Sequence, residues 1–517
     1  MNEEDGSNVK DDENMNAKYT WSAKLNYLAF DLGAESGRAI LGRFDGDRLS
    51  LNEVHRFPNN PVRLPDGLHW DILRLWGEIV TAIGKAVKEA DGALAGIGLD
   101  TWGVDFGLLD RHGKLIENPY HYRDDRTDGM VDAAFRRVPQ KDIFDQTGIQ
   151  FMQLNSLYQL LAMVEQRSPS LELAATFLTI PDLLNYWLTG RAVSEFTIAT
   201  TTQCYDPRRG AWATPMLAAL GIPTAIFAEV IKPGTIVGPL LPSLATATAA
   251  PDTPVIAPAC HDTGSAVVAV PAESGRFAWI SSGTWSVLGA EVGEPAITPD
   301  SLAYNFTNEG GVEGTFRLCK NIMGLWLVQE CRRTWAAQGD VFSYDQLTEM
   351  AAAARPFVCI VNPDHHDFLK PGDMPARIRA YAIRTGQVVP DSKGEVVRSV
   401  LEGLALQYRL VLERTEALVG HRLEPVYIVG GGTKNHLLSQ FAADATGRAV
   451  FTGPVEATAL GNILMQAVAT GTLGSLAEAR TVVRNSSVIL TYTPGDRAGW
   501  DEGYARLQRL VGLAQLR

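Results

Sequence analysis

Apolar positions along the first hundred residues change period three times. "YLAFD" from residue 27 is a nearly continuous apolar run, "RAILGRF" follows a Gly-rich turn, and "RLSLNEVHRF" alternates apolar and polar after the turn signal "DGD" at 45–47. These read as three strands in hairpin order, the third facing water on one side. Then "WDILRLWGEIVTAIGKAVKEA" spaces Ile72, Leu73, Trp76, Ile79, Val80, Ile83 and Val87 as one helical face. "LAGIGLD" at 94–100 is another buried strand, and "TWGVDFGLLD" continues it after a break. A strand reached through a helix runs parallel to its neighbour, so the order β-β-β-α-β predicts a covered sheet.

The second half repeats this scheme in pattern. "FAWISSGTWSVLGAEVG" at 277–293 is strand, Ser/Gly turn, strand; a helix over about 395–419 precedes "PVYIVGGGTKN", again strand then turn. Two such units imply two lobes with a cleft between them. The Pro-, Ala- and Thr-rich stretch 233–254 is the expected boundary.

Composition narrows the class. The chain has 517 residues, 46% hydrophobic and 20% charged, and a net charge of −13. That acidity excludes a non-specific nucleic-acid or anionic-membrane binder. Part of it sits in the first twenty residues, read as a disordered tail. No apolar stretch is long enough for a membrane span, and no secretory signal is recognisable. Five cysteines without a C-x-x-C pair fit a reducing, cytoplasmic setting; Cys260 beside His261 reads as a small buried hydrophobe rather than a reactive thiol.

Four stretches carry candidate chemistry. In "DLGAESGR" (31–38) the glycines let backbone amides form an anion nest, Ser36 adds a donor, Arg38 a fixed charge, and Asp31 a hard oxygen for Mg²⁺. An ordinary hairpin turn with a surface arginine is the alternative. In "APACHDTGSAVV", Asp262 opens a helix, as a cap or as a general base for a substrate hydroxyl. "ISSGTWS" (280–286) is a second phosphate-type turn with Thr284 as donor. "IVGGGTKN" (428–435) offers Cβ-free backbone to a nucleobase or ribose. P-loop, Rossmann, nucleophile-elbow and H-E-x-x-H patterns are all missing. "DHHD" (364–367) reads as a solvated loop, and "YHYRDDRTDG" (120–129) as a structural ion-pair network near the cleft.

The order of these pieces resembles the FGGY family of carbohydrate kinases, over about residues 26–490. The resemblance implies an α/β, two-lobed, actin-like (ribonuclease-H-like) ATPase fold with an interlobe cleft. It divides the chain into a disordered acidic tail (1–20), a lobe for sugar and phosphate (21–256), and a lobe for the base and nucleotide (257–517). Collinear stretches such as "LDTWGVDFGLLD", "GIQFMQLNSLYQL", "TNEGG" and "KNIMGLWLVQE" are closest to the branch that phosphorylates L-rhamnulose at O1. Another ketose such as L-fuculose, or a non-catalytic sugar or nucleotide sensor, is the rival. Carried over by position, Ala34, Glu35, Ser36, Gly37 and Arg38 would cradle the ATP phosphates, and Asp31 would organise Mg²⁺. Asp262 would be the base. Gly103, His261, Asp262, Thr263 and Asn321 would line the ketose site; Thr284, Gln329 and Gly431 or Gly432 would hold the nucleotide. Glu35 stands where some relatives have Ser, and its side chain is expected to point away from the phosphates.

Overall fold

The computed structural model describes residues 24–515 apart from 92 and 274; the acidic tail 1–20 lies outside these. Strand β1 (Leu25–Leu32) pairs antiparallel with β2 (Ser36–Phe44), which pairs antiparallel with β3 (Leu49–Pro58). Helix α1 (Ile72–Glu89) begins behind Asp71, whose carboxylate accepts from the Arg74 amide at 3.2 Å. It buries Ile72, Leu75, Ile79, Ile83 and Val87 against the sheet, while Leu73, expected on that face, is 62% exposed. The helix returns the chain to β4 (Gly96–Thr101), parallel to β1 in a register that sets Asp100 beside Asp31. The apolar run after β4 does not extend this strand: residues 106–109 pair with 176–179 as a separate ribbon, beyond a turn where Val104 has φ 69°.

Two further strands complete the first sheet, β5 (Thr235–Pro239) and β6 (Pro254–Ala257), giving the order β5-β6-β4-β1-β2-β3. The 233–254 stretch is therefore part of this lobe and not a linker. Its prolines sit where no ladder or helix bond is lost: Pro239 ends the edge strand, and Pro242 stands in the first turn of a short helix.

The second sheet repeats the plan. Helix α2 (Asp262–Val268) leads into the hairpin β7 (Ala278–Ser282) and β8 (Trp285–Val292), with β9 (Thr307–Gly310) and β10 (Phe316–Met323) added antiparallel beyond β8. After helix α3 (Trp326–Ala337), helix α4 (Lys393–Val419) returns the chain to β11 (Val426–Val429), parallel to β7. β12 (Val450–Thr452) and β13 (Leu490–Tyr492) close the order β9-β10-β8-β7-β11-β12-β13.

Helix α5 (Ala457–Ala469) belongs to the second half in sequence but packs on α2, β1 and β4 of the first. At the crossing with α2, a Cβ on Gly461 would stand 1.8 Å from the Ser265 carbonyl oxygen, so only glycine permits this approach. Gln466 Nε2 donates to the Leu28 carbonyl at 3.1 Å, and Asn462 Nδ2 to Asp100 Oδ2 at 2.6 Å. The apolar core between the lobes joins Tyr27, Ala29 and Ile40 to Trp279, Tyr427 and Ile463.

Candidate functional site

A cleft of about 890 Å³ opens between the sheets. Of the residues singled out in the sequence, Asp31, Ala34, Glu35, Ser36, Arg38, Gly103, His261, Asp262, Thr263, Thr284, Asn321, Gln329, Gly431 and Gly432 all line it. Gly37 does not. It is buried under Phe57, whose ring would lie 2.2 Å from a Cβ there, so its glycine serves packing rather than phosphate.

The first turn is closed by its own backbone: the Gly33 amide donates to the Ser36 carbonyl at 3.0 Å. Glu35 is exposed, 3.5 Å from Arg333 of α3 across the cleft. Arg38 is not a free cation. Its two terminal nitrogens pair with Asp31 on β1 and with Glu456, just ahead of α5. Burial raises the Asp31 carboxyl, the Arg38 guanidinium opposes this, and the nearby Asp262 and Glu456 add to the rise. Asp100, beside Asp31, is pushed well above the ordinary range by burial and by Asp31 itself. Asp100 Oδ1 is buried without a hydrogen-bond partner among the described residues. Two neighbouring, desolvated carboxylates with an unsatisfied oxygen are a donor set that fits a hard divalent cation.

Asp262 is the first residue of α2 and not its cap, a position held by His261. Its Oδ1 accepts from the Thr263 amide and from Thr263 Oγ1. Asn321, on β10, is fixed from the opposite lobe: its amide donates to Gln150 Oε1 at 3.0 Å. Gly103 packs against Thr201, whose Oγ1 accepts from the Val104 amide at 3.3 Å. Behind this wall Trp70 and Trp102, ring centroids 4.1 Å apart, both donate to Asp105 Oδ2, at 2.6 and 3.0 Å. Elsewhere in the cleft the ends of β7 and β11 nearly touch: a Cβ on Gly432 would lie 2.0 Å from Ser282 Oγ, whereas one on Gly431 would meet open space.

Other motifs resolve as structural parts. Asp364 accepts from the Met323 amide and Gln407 Nε2, both at 2.9 Å. His365, His366 and Asp367 lie close together, but Asp367 is paired with Arg384. The 120–129 stretch is stacked and hydrogen-bonded more than ion-paired. Arg126 lies 3.8 Å from the Tyr120 ring centre, and Arg123 donates to the Leu369 carbonyl at 2.9 Å. All five cysteines are buried and unpaired, and burial pushes the Cys260 thiol up.

Sequence reasoning missed Asp100, Asp105, Gln150, Glu309, Arg317 and Glu456. Glu309 on β9 faces Arg317 on β10, its register partner. Burial would raise its carboxyl, but the Arg317 guanidinium beside it opposes this, and the group is held at about 2. Gln150 and Glu309 do fall in "GIQFMQLNSLYQL" and "TNEGG", so the signal existed as motif without an assigned role.

Residues 26–269 match the FGGY family of carbohydrate kinases, N-terminal domain, and 278–470 match its C-terminal domain. The rhamnulokinase of Bacteroides thetaiotaomicron is 44% identical over 488 residues, 94% of this chain and 100% of the relative. That of Oceanobacillus iheyensis is 40% identical over 90% of this chain and 97% of the relative. Among solved structures, a ligand-bound xylulose kinase from Lactobacillus acidophilus superposes with TM-score 0.76 at 17% identity, covering 95% of this chain and 96% of that one. Plasmodium falciparum glycerol kinase with ADP gives 0.76 at 16%, covering 95% and 98%. These share the two-lobed α/β fold.

Proposed function

Because the chain belongs to the FGGY family of carbohydrate kinases, we propose that it transfers the γ-phosphoryl group of ATP to the 1-hydroxyl of L-rhamnulose. The observation that carries the reading is the place of Asp262: its carboxylate stands in a cleft whose walls include the two Ser/Gly turns, 31–38 and 281–284. The sugar follows from the rhamnulokinases that match almost the whole chain.

Asp262 orients the sugar hydroxyl and takes its proton as the oxygen attacks phosphorus; the P–O bond to ADP breaks as the new one forms. Thr263 holds Oδ1 of this carboxylate, which leaves the second oxygen for the proton. Gly103, His261, Thr263 and Asn321 contact the sugar, with Gln150 fixing Asn321. Ala34, Ser36, Thr284, Gln329 and Gly431 contact the nucleotide, Gly431 being the glycine open to the cleft. Asp31 and Asp100 would hold Mg²⁺, which when bound would neutralise charge on the phosphates. Arg38, set between Asp31 and Glu456, offsets the carboxylates that would otherwise repel ATP. Among the described residues no helix is long and apolar enough to cross a membrane. We place the reaction in the cytoplasm, where unpaired thiols stay reduced.

The test is ADP release with MgATP and L-rhamnulose, L-fuculose, L-ribulose, D-xylulose, glycerol or no sugar. The greatest sugar-dependent turnover is expected with L-rhamnulose. Preference for another ketose overturns the substrate and keeps the kinase. No turnover by folded, ATP-binding protein overturns both.

A further inference from the structure

His261 precedes the helix that presents Asp262, and its ring is held by a buried pair from β9 and β10 of the second sheet. Arg317, 1% exposed, donates from Nε to the Gly310 carbonyl at 2.8 Å and from Nη2 to His261 Nδ1 at 3.0 Å. Glu309 Oε2 lies 3.2 Å from both His261 Nδ1 and Arg317 Nη2, yet accepts no aligned hydrogen bond from either. The alignment decides the proton's place. A guanidinium has five N–H donors and no lone pair to offer. A ring nitrogen that takes an N–H from it must itself be bare. The ring proton then sits on Nε2, which stands 3.4 Å from Asp262 Oδ1.

We propose that Arg317 is a positioning residue that fixes His261 in the Nε2–H tautomer, so that the imidazole presents a donor, never an acceptor, beside the Asp262 carboxylate. The inference rests on the reading of Asp262 as the base. Oδ1 then faces three donors: the Thr263 amide, the Thr263 hydroxyl and the His261 ring. Donors gathered on one oxygen leave the other oxygen to take the sugar's proton. His261 in this state cannot compete for that proton. Glu309 contributes charge rather than a bond: it neutralises a buried guanidinium.

The ring tautomer is read directly from two-bond ¹H–¹⁵N correlation spectra of the intact, ¹⁵N-histidine-labelled chain near neutral pH, with the His261 signals assigned by their loss in His261→Gln. The expected pattern is a bare Nδ1 and a protonated Nε2. A protonated Nδ1, in a neutral or a doubly protonated ring, overturns the proposal. In Arg317→Met the Nδ1-bare form should lose its dominance. kcat should fall about 10- to 100-fold, the range seen when partners orienting a metal-bound histidine are removed. KM for ATP should stay unchanged. Arg317→Lys, which keeps a donor, should restore part of both signals. An unaltered tautomer in Arg317→Met also overturns the proposal. If that variant does not fold, the wild-type spectrum decides. The spectrum needs neither sugar nor ATP, so a bare Nδ1 in a chain without sugar-dependent turnover would locate the failure in the functional reading and not in the tautomer.

Discussion

Asp105 in the first lobe and Glu309 in the second are both buried acids at the walls of the cleft, yet they lie on opposite sides of their ordinary range. Burial pushes Asp105 up to about 6, although Trp70, Gln159 and Trp102 all donate to it. Glu309 suffers the same desolvation and is held at about 2, because its neighbour is a guanidinium. Four neutral hydrogen bonds, that of the Tyr122 amide included, do not offset the loss of water around a carboxylate; one apposed full charge does. The first wall is thus an aromatic clasp around a reluctant anion, and the second is an ion pair that also reaches the site through His261.

The largest effect comes from removing the acid between the walls. Asp262→Asn should lower kcat by roughly 10²- to 10⁴-fold while calorimetric ATP binding persists. Unchanged turnover would remove Asp262 from the role of base. Next, Glu309→Gln strands the buried Arg317 charge and should cost about 3–5 kcal/mol in urea melts at neutral pH. The linkage sign follows from its lowered carboxyl: Glu309 stabilises the fold above its unfolded value of 4.5 and loses this as pH falls towards 2. From pH 5 to 3 the wild type should therefore lose about 2 kcal/mol more than the variant; parallel profiles would contradict the charge pairing.

The matching change in the first wall has the opposite sign. The raised Asp105 carboxyl favours folding below its unfolded value of 3.8 and loses that contribution as pH rises through about 6. Between pH 5 and 7 the wild type should lose about 1 kcal/mol more than Asp105→Asn, again read from urea melts. If both amide variants shift stability in the same direction, the contrast between the walls fails. The smallest effect is at the rim, where exposed Lys370 pairs with Asp125 at 3.1 Å across the cleft. Lys370→Ala should change stability by no more than about 0.5 kcal/mol; a larger loss would mean the rim, and not the buried acids, holds the lobes together.

The contrast also marks how far the sequence could be read. The strand-turn-strand units were legible because an apolar run ending in Gly or Ser has few other uses, and both turns do line the cleft. Asp31 and Asp262 stood out as acids at the ends of apolar runs. Asp100 stands at such an end too, but its meaning depends on the parallel register that brings it to Asp31. Glu309 and Arg317 become a pair only through the β9/β10 register. Gly37 shows the reverse error: a glycine kept for the Phe57 ring looks, in one dimension, like a glycine kept for phosphate. The 233–254 stretch misled because proline and threonine mark linkers and edge strands alike, and the sheet edge came from far along the chain.

The α5 crossing sets a timetable for synthesis. The Leu28 carbonyl waits for Gln466, 438 residues downstream. At about 5–20 residues per second, the ribosome leaves the face of β1 and β4 uncovered for roughly 20–90 s. Throughout that interval the nascent first lobe offers a bare apolar surface at the tunnel exit, the kind of surface that holdase chaperones shield. The N-terminal half made alone would never be relieved of it, so a chain cut between the lobes should aggregate rather than yield a working half.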